Sequence, residues 1–193
     1  NRINELNYKT FVDEIPQHKT NEDRALLDKF HSENTYLICI KDTKLLGMMA
    51  VRDKRPFSLD QKLSDLDSYL PEHSFACEFR LLSIEQEFRN LRIIQGLMVL
   101  LAKLADEKGY DIALISANVK RLRFYRQIGF KDFGPEVGSD EARYQPMYLT
   151  LKSSMEFRGK SKILSRLPNN FSIQNDHPVN LLPGPVDLSQ EVK

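Results

Sequence analysis

The order of elements in the middle of the chain constrains its fold more than any other feature. Residues 75–84 alternate as a strand, and residues 91–108 have the apolar spacing of a long helix that ends before Gly109. A buried strand over 111–116 and a second helix over 119–128 follow. Two strands joined by a helical crossover in one sheet run parallel. The sequence therefore predicts an α/β domain with a central parallel strand pair.

Strand and helix patterns also flank this central unit. Residues 35–40 and 45–51 are strand-like and are separated by a short polar connection, which is typical of an antiparallel hairpin. Residues 144–151 alternate as a last strand, and residues 4–15 and 21–30 have the periodicity of amphipathic helices. We expect a mixed, mostly antiparallel sheet that is flanked by helices.

The length of 193 residues fits one domain with extensions. We expect this domain to span residues 1–167 and to end in a helix over 153–167. Residues 53–74 are polar and contain two prolines, which predicts a loop with a short helix, and such insertions often flank a substrate site. Residues 168–193 are rich in Pro, Asn and Gly, so we interpret them as a linker.

Charge and cysteine usage exclude several classes of function. The 28 basic and 27 acidic residues nearly cancel, which argues against a nucleic-acid or anionic-membrane partner. The longest apolar stretch, residues 93–105, is too short to span a bilayer. Cys39 and Cys77 lie in strand-like runs without metal-ligand spacing, so we predict buried free thiols, no metal site and a cytoplasmic location.

The segment that follows the second central strand resembles a motif of the GNAT superfamily of N-acyltransferases. Asn118, Tyr125, Gly129 and Phe130 have the spacing of the family's Asn-x₆-Tyr-x₃-Gly-Phe pattern, although Arg121 replaces a small residue. The resemblance implies a GNAT fold in which the central strand pair splays apart and admits the phosphopantetheine arm of acyl-CoA. It assigns Asn118 to that arm and Tyr125 to the departing thiolate as its acid, while the alternative for Tyr125 is a half-buried core residue.

The strand and turn before the long helix resemble the family's phosphate-binding motif. The strand, the aromatic Phe88 and Arg89 agree with that motif, whereas Asn90, Arg92 and Ile94 replace preferred glycines. Glycines there let backbone N–H groups approach a pyrophosphate at the helix N-terminus. The resemblance implies donor binding by Leu82, Ser83, Ile84, Arg89, Asn90, Leu91, Arg92, Ile93, Ile94 and Asn118.

Acyl transfer from a thioester to an amine also requires a group that accepts the amine proton. Glu78 is our candidate, directly or through a water, because it is a carboxylate on the central strand; Glu85 and Glu87 are alternatives. A structural ion pair between Glu78 and Arg80 is the competing interpretation. Otherwise Arg80, on the same predicted strand face, is the candidate for binding the acceptor.

Two further resemblances concern the partners of the domain. The helix around Leu6 to Glu14 and the Glu78-x-Arg80 strand are similar to acyl-homoserine-lactone and long-chain N-acyl amino acid synthases, which implies acyl carrier protein as an alternative donor. Residues 179–193 resemble the start of class V, pyridoxal-phosphate-dependent aminotransferases. The rival hypothesis is therefore a catalytically degenerate GNAT-like binding or accessory domain that is fused to such an enzyme.

Overall fold

The structure, a computed structural model, describes residues 2–89, 91–139 and 142–151, and in these ranges seven strands form one mixed sheet. The strands are β1 (Thr35–Lys41), β2 (Lys44–Arg52), β3 (Ala76–Ile84), β4 (Ile112–Asn118), β5 (Lys131–Asp132), β6 (Val137–Ser139) and β7 (Ala142–Thr150). Their order is β1-β2-β3-β4-β7-β5, with β6 paired to β7. Strands β3 and β4 are parallel and the other described pairs are antiparallel, which confirms the predicted sheet.

The helices follow the predicted order around this sheet. Helix α1 (Arg2–Tyr8) continues into a π-helical turn at Lys9–Glu14, and α2 (Leu91–Lys108) connects β3 to β4. Helix α3 (Leu122–Gln127) follows a 3-10 turn that begins directly after β4. Helix α2 ends because Gly109 adopts a φ of +76°, a left-handed conformation that glycine accepts readily.

The predicted helix over residues 21–30 is wrong, because this segment forms turns and irregular structure. The side chain of Asn21 accepts a hydrogen bond from the backbone N–H of Ala25 and donates one to the Ala25 carbonyl. These side-chain bonds take the place of the backbone hydrogen bonds that a helix would make. Arg24 also has a φ of +47°, which no α-helix accommodates. The segment instead lies across α1 and β3, where it contributes to the cavity described below.

Strand β3 does not alternate along its whole length, contrary to the expectation that Glu78, Arg80, Leu82 and Ile84 share one face. Leu81 has a φ of +52°, and the register against β2 shifts at this point. This β-bulge changes which residues face each side. Glu78 and Arg80 face the loop and the N-terminal segment, whereas Leu82 packs into the cluster under α2.

The hydrophobic core occupies both faces of the sheet. The main cluster lies between α2 and the sheet and includes Met49, Phe79, Leu101, Ile115 and Met147. The loop between β2 and β3, which contains the predicted short helix as a 3-10 turn at Leu66–Tyr69, covers part of the opposite face. The cluster on that face is formed by Phe57, Leu59, Leu63, Leu66, Ala76, Ile112 and Leu114.

Three sequence-based expectations fall outside the described ranges. These are the helix over 153–167, the linker over 168–193 and the aminotransferase-like segment over 179–193. The domain boundary at residue 167 therefore remains a prediction.

Candidate active site

Strands β3 and β4 separate before either of them ends. Their parallel pairing runs from Ala76 and Ile112 to Glu78 and Leu114, although β3 continues to Ile84. The predicted splay is therefore present, and it begins directly after Glu78 and Leu114. A cavity of about 920 Å³ lies at this opening. Its size is within the range of roughly 300–1,000 Å³ in which proteins bind small ligands.

Most side chains that the sequence assigned to the site line this cavity. They are Glu78, Arg80, Leu82, Ile84, Arg89, Ile94, Asn118 and Tyr125. The lining does not include Ser83, Arg92 or Ile93. Of the two other assigned residues, Leu91 is the first residue of α2, and Asn90 lies outside the described ranges. The side chain of Ser83 is instead buried against α1, where its hydroxyl lies 3.3 Å from Oδ1 of Asn7.

Glu78 is completely buried, and its carboxylate is held by the loop that precedes β3. Oε1 accepts hydrogen bonds from the Ser58 hydroxyl at 2.6 Å and from the Leu59 backbone at 3.0 Å. Oε2 accepts one from the Ser58 backbone at 2.8 Å and lies 3.4 Å from Nε of Arg80. These bonds offset the cost of burying the charge. Glu78 therefore fixes the turn at residues 58–59 beside the cavity.

Arg80 lies at the junction of three segments. It donates two hydrogen bonds to the Asp28 carboxylate, at 2.7 and 2.9 Å, and its guanidinium lies 4.8 Å from the centre of the Phe30 ring. This bidentate geometry is among the strongest that a side-chain pair forms. With Glu78 also in contact, the positive charge of Arg80 is balanced before any substrate binds.

Tyr125 on α3 presents a protonated hydroxyl to the cavity. Its ring packs edge-on against Phe124 and Phe130, at centroid distances of 5.1 and 6.1 Å. Burial raises the pKa of Tyr125 to about 12, although the nearby Arg121 partly opposes this effect. The hydroxyl makes no hydrogen bond to another described residue. It is therefore available as a donor to a bound ligand.

Asn118 ends β4 and begins the 3-10 turn that leads into α3. Its Oδ1 accepts a hydrogen bond from the Lys120 backbone at 3.0 Å, as an N-cap side chain does. Within the described ranges its Nδ2 group donates no hydrogen bond, so this donor remains for a ligand. The motif spacing thus brings Asn118 and Tyr125 to the same cavity.

The turn between β3 and α2 is braced by ion pairs with the N-terminal segment. Arg89 donates from Nε to the carbonyl of Ile84 at 3.0 Å and pairs with Glu14 of the π-helical turn. The guanidinium that was predicted to contact the donor phosphate therefore already has a carboxylate partner. Arg92, the other cation of this turn, is exposed on the first turn of α2.

The sequence did not identify several polar residues of the cavity, namely Asp28, Ser58 and Lys62. Lys62 donates from Nζ to the Ser116 hydroxyl at 2.9 Å. Ser58 and Lys62 belong to a loop without regular periodicity, and Asp28 belongs to the segment over residues 21–30, which was wrongly predicted to be a helix. The only sequence signal was that the polar loop over residues 53–74 precedes the central strand, and this signal does not show which side chains point inward.

Several other features bear on the class of site. Among the residues that the structure describes, no group of three His, Cys, Asp or Glu side chains is arranged to hold a metal ion. No helix in the same ranges has the length and apolar character needed to cross a bilayer. Cys39 and Cys77 are both free thiols, but only Cys77 is buried as predicted, whereas Cys39 is partly exposed. Burial raises the pKa of Cys77 to about 12.

Solved structures with the same fold include acyl-homoserine lactone synthases. BjaI, a CoA-dependent synthase solved with SAM and isopentyl-CoA, aligns with a TM-score of 0.63 at 14% identity, over 78% of this chain and 74% of BjaI. LasI aligns with a TM-score of 0.62 at 14% identity, over 83% of this chain and 87% of LasI. A search of curated proteins gave no match. The fold is that of the GNAT-like N-acyltransferases, as predicted.

The family follows from two further comparisons. FeeM, an N-acyl amino acid synthase from uncultured soil microbes, aligns with a TM-score of 0.55 at 18% identity, over 67% of this chain and 77% of FeeM. The family model for the N-acyl amino acid synthase FeeM matches residues 2–151, which is most of the chain. The chain belongs to this family and is an N-acyltransferase. The family match gives no support to the alternative of a domain fused to an aminotransferase.

Proposed function

We propose that the chain transfers an acyl group from a phosphopantetheine thioester directly to the amine of a small acceptor. One observation carries the proposal: a single cavity at the β3–β4 opening is lined by Asn118 and Tyr125 on one side and by Glu78 and Ser58 on the other. The first pair supplies donors for the thioester, and the second supplies an acceptor for a proton. No covalent enzyme intermediate is needed for this chemistry.

The donor arm is proposed to enter between the two strands. Where β3 and β4 no longer pair, their facing backbone groups need other partners, and the amides of a phosphopantetheine arm offer both donors and acceptors. Nδ2 of Asn118 supplies one more donor. CoA and acyl carrier protein both present this arm. The exposed side of α3 carries Arg123, whose positive charge would suit an acidic carrier protein, whereas Arg126 already pairs with Asp132.

The reaction is proposed to proceed by one displacement. The acceptor nitrogen attacks the thioester carbonyl, the C–N bond forms, and the C–S bond breaks. Tyr125 donates its proton to the departing thiolate and later regains a proton from solvent. Because the Glu78 oxygens already accept hydrogen bonds, the amine proton passes to Oγ of Ser58, while the Ser58 proton moves to Oε1 of Glu78. After the products leave, Glu78 returns its proton to Ser58, and Ser58 releases one proton to the solvent in the cavity, which balances the proton that Tyr125 takes up.

The N-terminal segment offers an apolar wall for the acyl chain. Phe11, Ile15, Leu26 and Leu27 line the cavity on this side, and acyl methylene groups gain free energy by leaving water. We place the reaction in the cytoplasm, because the two free thiols favour a reducing compartment.

A panel of donors and acceptors tests the proposal. The purified chain is incubated with acyl-CoA of increasing length or with acyl carrier protein, together with single amino acids or simple amines. Mass spectrometry should detect an N-acyl product, and one thiol should be released for each product. Binding of the thioester without product would instead support the catalytically degenerate module.

A pair of serine variants tests the proton path. Ser58→Ala should lower kcat because it interrupts transfer to Glu78. Ser68→Ala should not change kcat, because Ser68 is exposed, does not line the cavity, and bonds only the Asp65 carbonyl among the described residues. Equal rates for the two variants would remove Ser58 from the mechanism.

A further inference from the structure

A second cavity lies at the opposite end of the central strands from the proposed active site. Its volume is about 570 Å³, which is large enough for a small ligand. Ile112 lines this cavity, whereas Asn118, six residues further along β4, lines the main cavity. Because a strand rises by about 3.3 Å per residue, the two cavities are roughly 20 Å apart. None of the described residues lines both of them, so the second cavity is a separate site.

Three aromatic side chains form the wall of the second cavity. Tyr69 ends the 3-10 turn before β3, Phe133 follows β5, and Tyr148 belongs to β7. The centre of the Phe133 ring lies 5.9 Å from that of Tyr69 and 6.2 Å from that of Tyr148, and the ring planes are inclined by 52° and 66°. Phe133 therefore stands between the two tyrosines, and the three rings form adjoining walls and not a parallel stack.

The backbone holds two of these rings in place without a ligand. The Phe133 N–H donates to the Pro146 carbonyl at 3.0 Å, and the Phe133 carbonyl accepts from Nε2 of Gln145 at 2.9 Å. Tyr148 pairs in the sheet with Lys131, which lies two residues before Phe133. A site that is formed in advance loses little conformational entropy when it binds a ligand.

The charged side chains that line the second cavity are negative. Glu72 and Asp111 line it, and among the described residues no lysine or arginine does so. Neither carboxylate forms an ion pair within the described ranges, and one oxygen of Asp111 accepts the Phe75 N–H at 2.9 Å. His73 also lines the cavity, but histidine is ordinarily neutral at pH 8. The cavity therefore presents two carboxylates that a cation can neutralise.

Aromatic rings and carboxylates together favour one class of ligand. The face of an aromatic ring attracts a cation within about 6 Å of its centre, and quaternary ammonium groups are bound in this way. The methyl groups of such a cation also gain free energy by leaving water against the rings. A metal ion is a poor alternative, because no group of three metal-ligating side chains is arranged to hold one among the described residues.

We infer that the second cavity binds a small organic ammonium ion, of about the size of choline, against the rings of Tyr69, Phe133 and Tyr148. Glu72 and Asp111 supply the neighbouring negative charge. The site lies outside the acyl-transfer cavity, so this inference does not depend on the proposed reaction.

A pair of ligands with the same shape tests the inference. Choline carries the positive charge, and 3,3-dimethylbutan-1-ol is its neutral counterpart. Binding to the full chain is followed at pH 8 by ¹H–¹⁵N NMR, which also shows where the ligand lies. Choline should bind with a Kd of about 1 mM or below and should shift the amide signals of Ile112 and Phe133, while the signal of Asn118 stays unchanged. The neutral counterpart should bind more weakly by about tenfold or more.

Substitutions in the wall identify the groups that bind the cation. Tyr69→Leu should weaken choline binding by about 2–30-fold, and Tyr69→Phe should retain it because the ring remains. Glu72→Gln should weaken binding by about fivefold or less, since water and salt screen an exposed charge. Phe75→Leu is the matched control, because Phe75 is 46% exposed and Tyr69 is 43% exposed, but Phe75 does not line the cavity. This control should bind choline as the wild type does.

The possible failures are distinguishable. Equal affinities for choline and its neutral counterpart would overturn the inference, because the charge would then contribute nothing to binding. Shifts confined to the main cavity, or no saturable binding of choline, would also overturn it. So would equal losses of affinity in Tyr69→Leu and Phe75→Leu. The thermal unfolding of each variant is measured without ligand, so that a loss of folding is not mistaken for a loss of affinity.

Discussion

Replacing Tyr125 with phenylalanine separates catalysis from folding. The hydroxyl makes no hydrogen bond to another described residue, while the ring contacts with Phe124 and Phe130 remain in the variant. The free energy of unfolding should therefore change by less than about 0.5 kcal/mol. Loss of acid catalysis should lower kcat by about 10²–10⁴-fold, which corresponds to about 2.7–5.4 kcal/mol in the activation free energy.

The pH dependence adds a second criterion. Because the pKa of Tyr125 is raised to about 12, its hydroxyl stays protonated through the range of an ordinary assay. The wild-type kcat should therefore show no loss from ionisation of this group below about pH 11.

The rate of the acyl-transfer step is measured by rapid-quench kinetics at a saturating concentration of the donor. The stability of each variant is measured by thermal unfolding. Tyr69→Phe is the control, because this tyrosine is 43% exposed and does not line the main cavity. A wild-type kcat in Tyr125→Phe would refute the role as acid. A drop in melting temperature of many degrees would show that the hydroxyl has a structural partner instead.

Three further perturbations test other parts of the account. Glu78→Gln removes a carboxylate oxygen that accepts hydrogen bonds from the loop at Ser58 and Leu59, so it should destabilise the fold by about 3–5 kcal/mol in chemical unfolding. Gly47→Ala should cost about 1–3 kcal/mol in the same assay, because the new Cβ would lie 2.9 Å from Cγ2 of Ile93. The raised pKa of Cys77 should make stability fall by about 1.4 kcal/mol between pH 8 and pH 10, since the unfolded thiol ionises near pH 9 while the folded thiol stays neutral. Cys77→Ala should remove about this amount from the pH dependence of stability, and an unchanged slope would assign it to other groups.

The main elements were predictable because each rests on local sequence properties. The apolar periodicity of α2 and the left-handed stop at Gly109 require no tertiary information. The spacing of Asn118 and Tyr125 was equally local, and it placed both residues at one cavity. The parallel pairing of β3 with β4 followed from the helix between them.

The features that sequence reasoning missed depend on contacts between distant segments. The bulge at Leu81 redirects the end of β3, and no residue type at that position requires it. Arg80 and Arg89 were recognised as site residues, but their partners Asp28 and Glu14 come from the N-terminal segment, which no motif connects to them. The wrong helix over residues 21–30 has the same origin, because its apolar positions contact the cavity and α1 from an irregular backbone.

A double-label experiment tests the central claim most directly. The purified chain is given a thioester with a ¹³C-labelled acyl group and a ¹⁵N-labelled amino acid, and the products are analysed by mass spectrometry. The account predicts an amide that contains both labels, formed in equal amount with the free thiol. Free ¹³C-labelled acid as the only product, with all ¹⁵N left in unmodified amino acid, would contradict acyl transfer to an amine in this cavity.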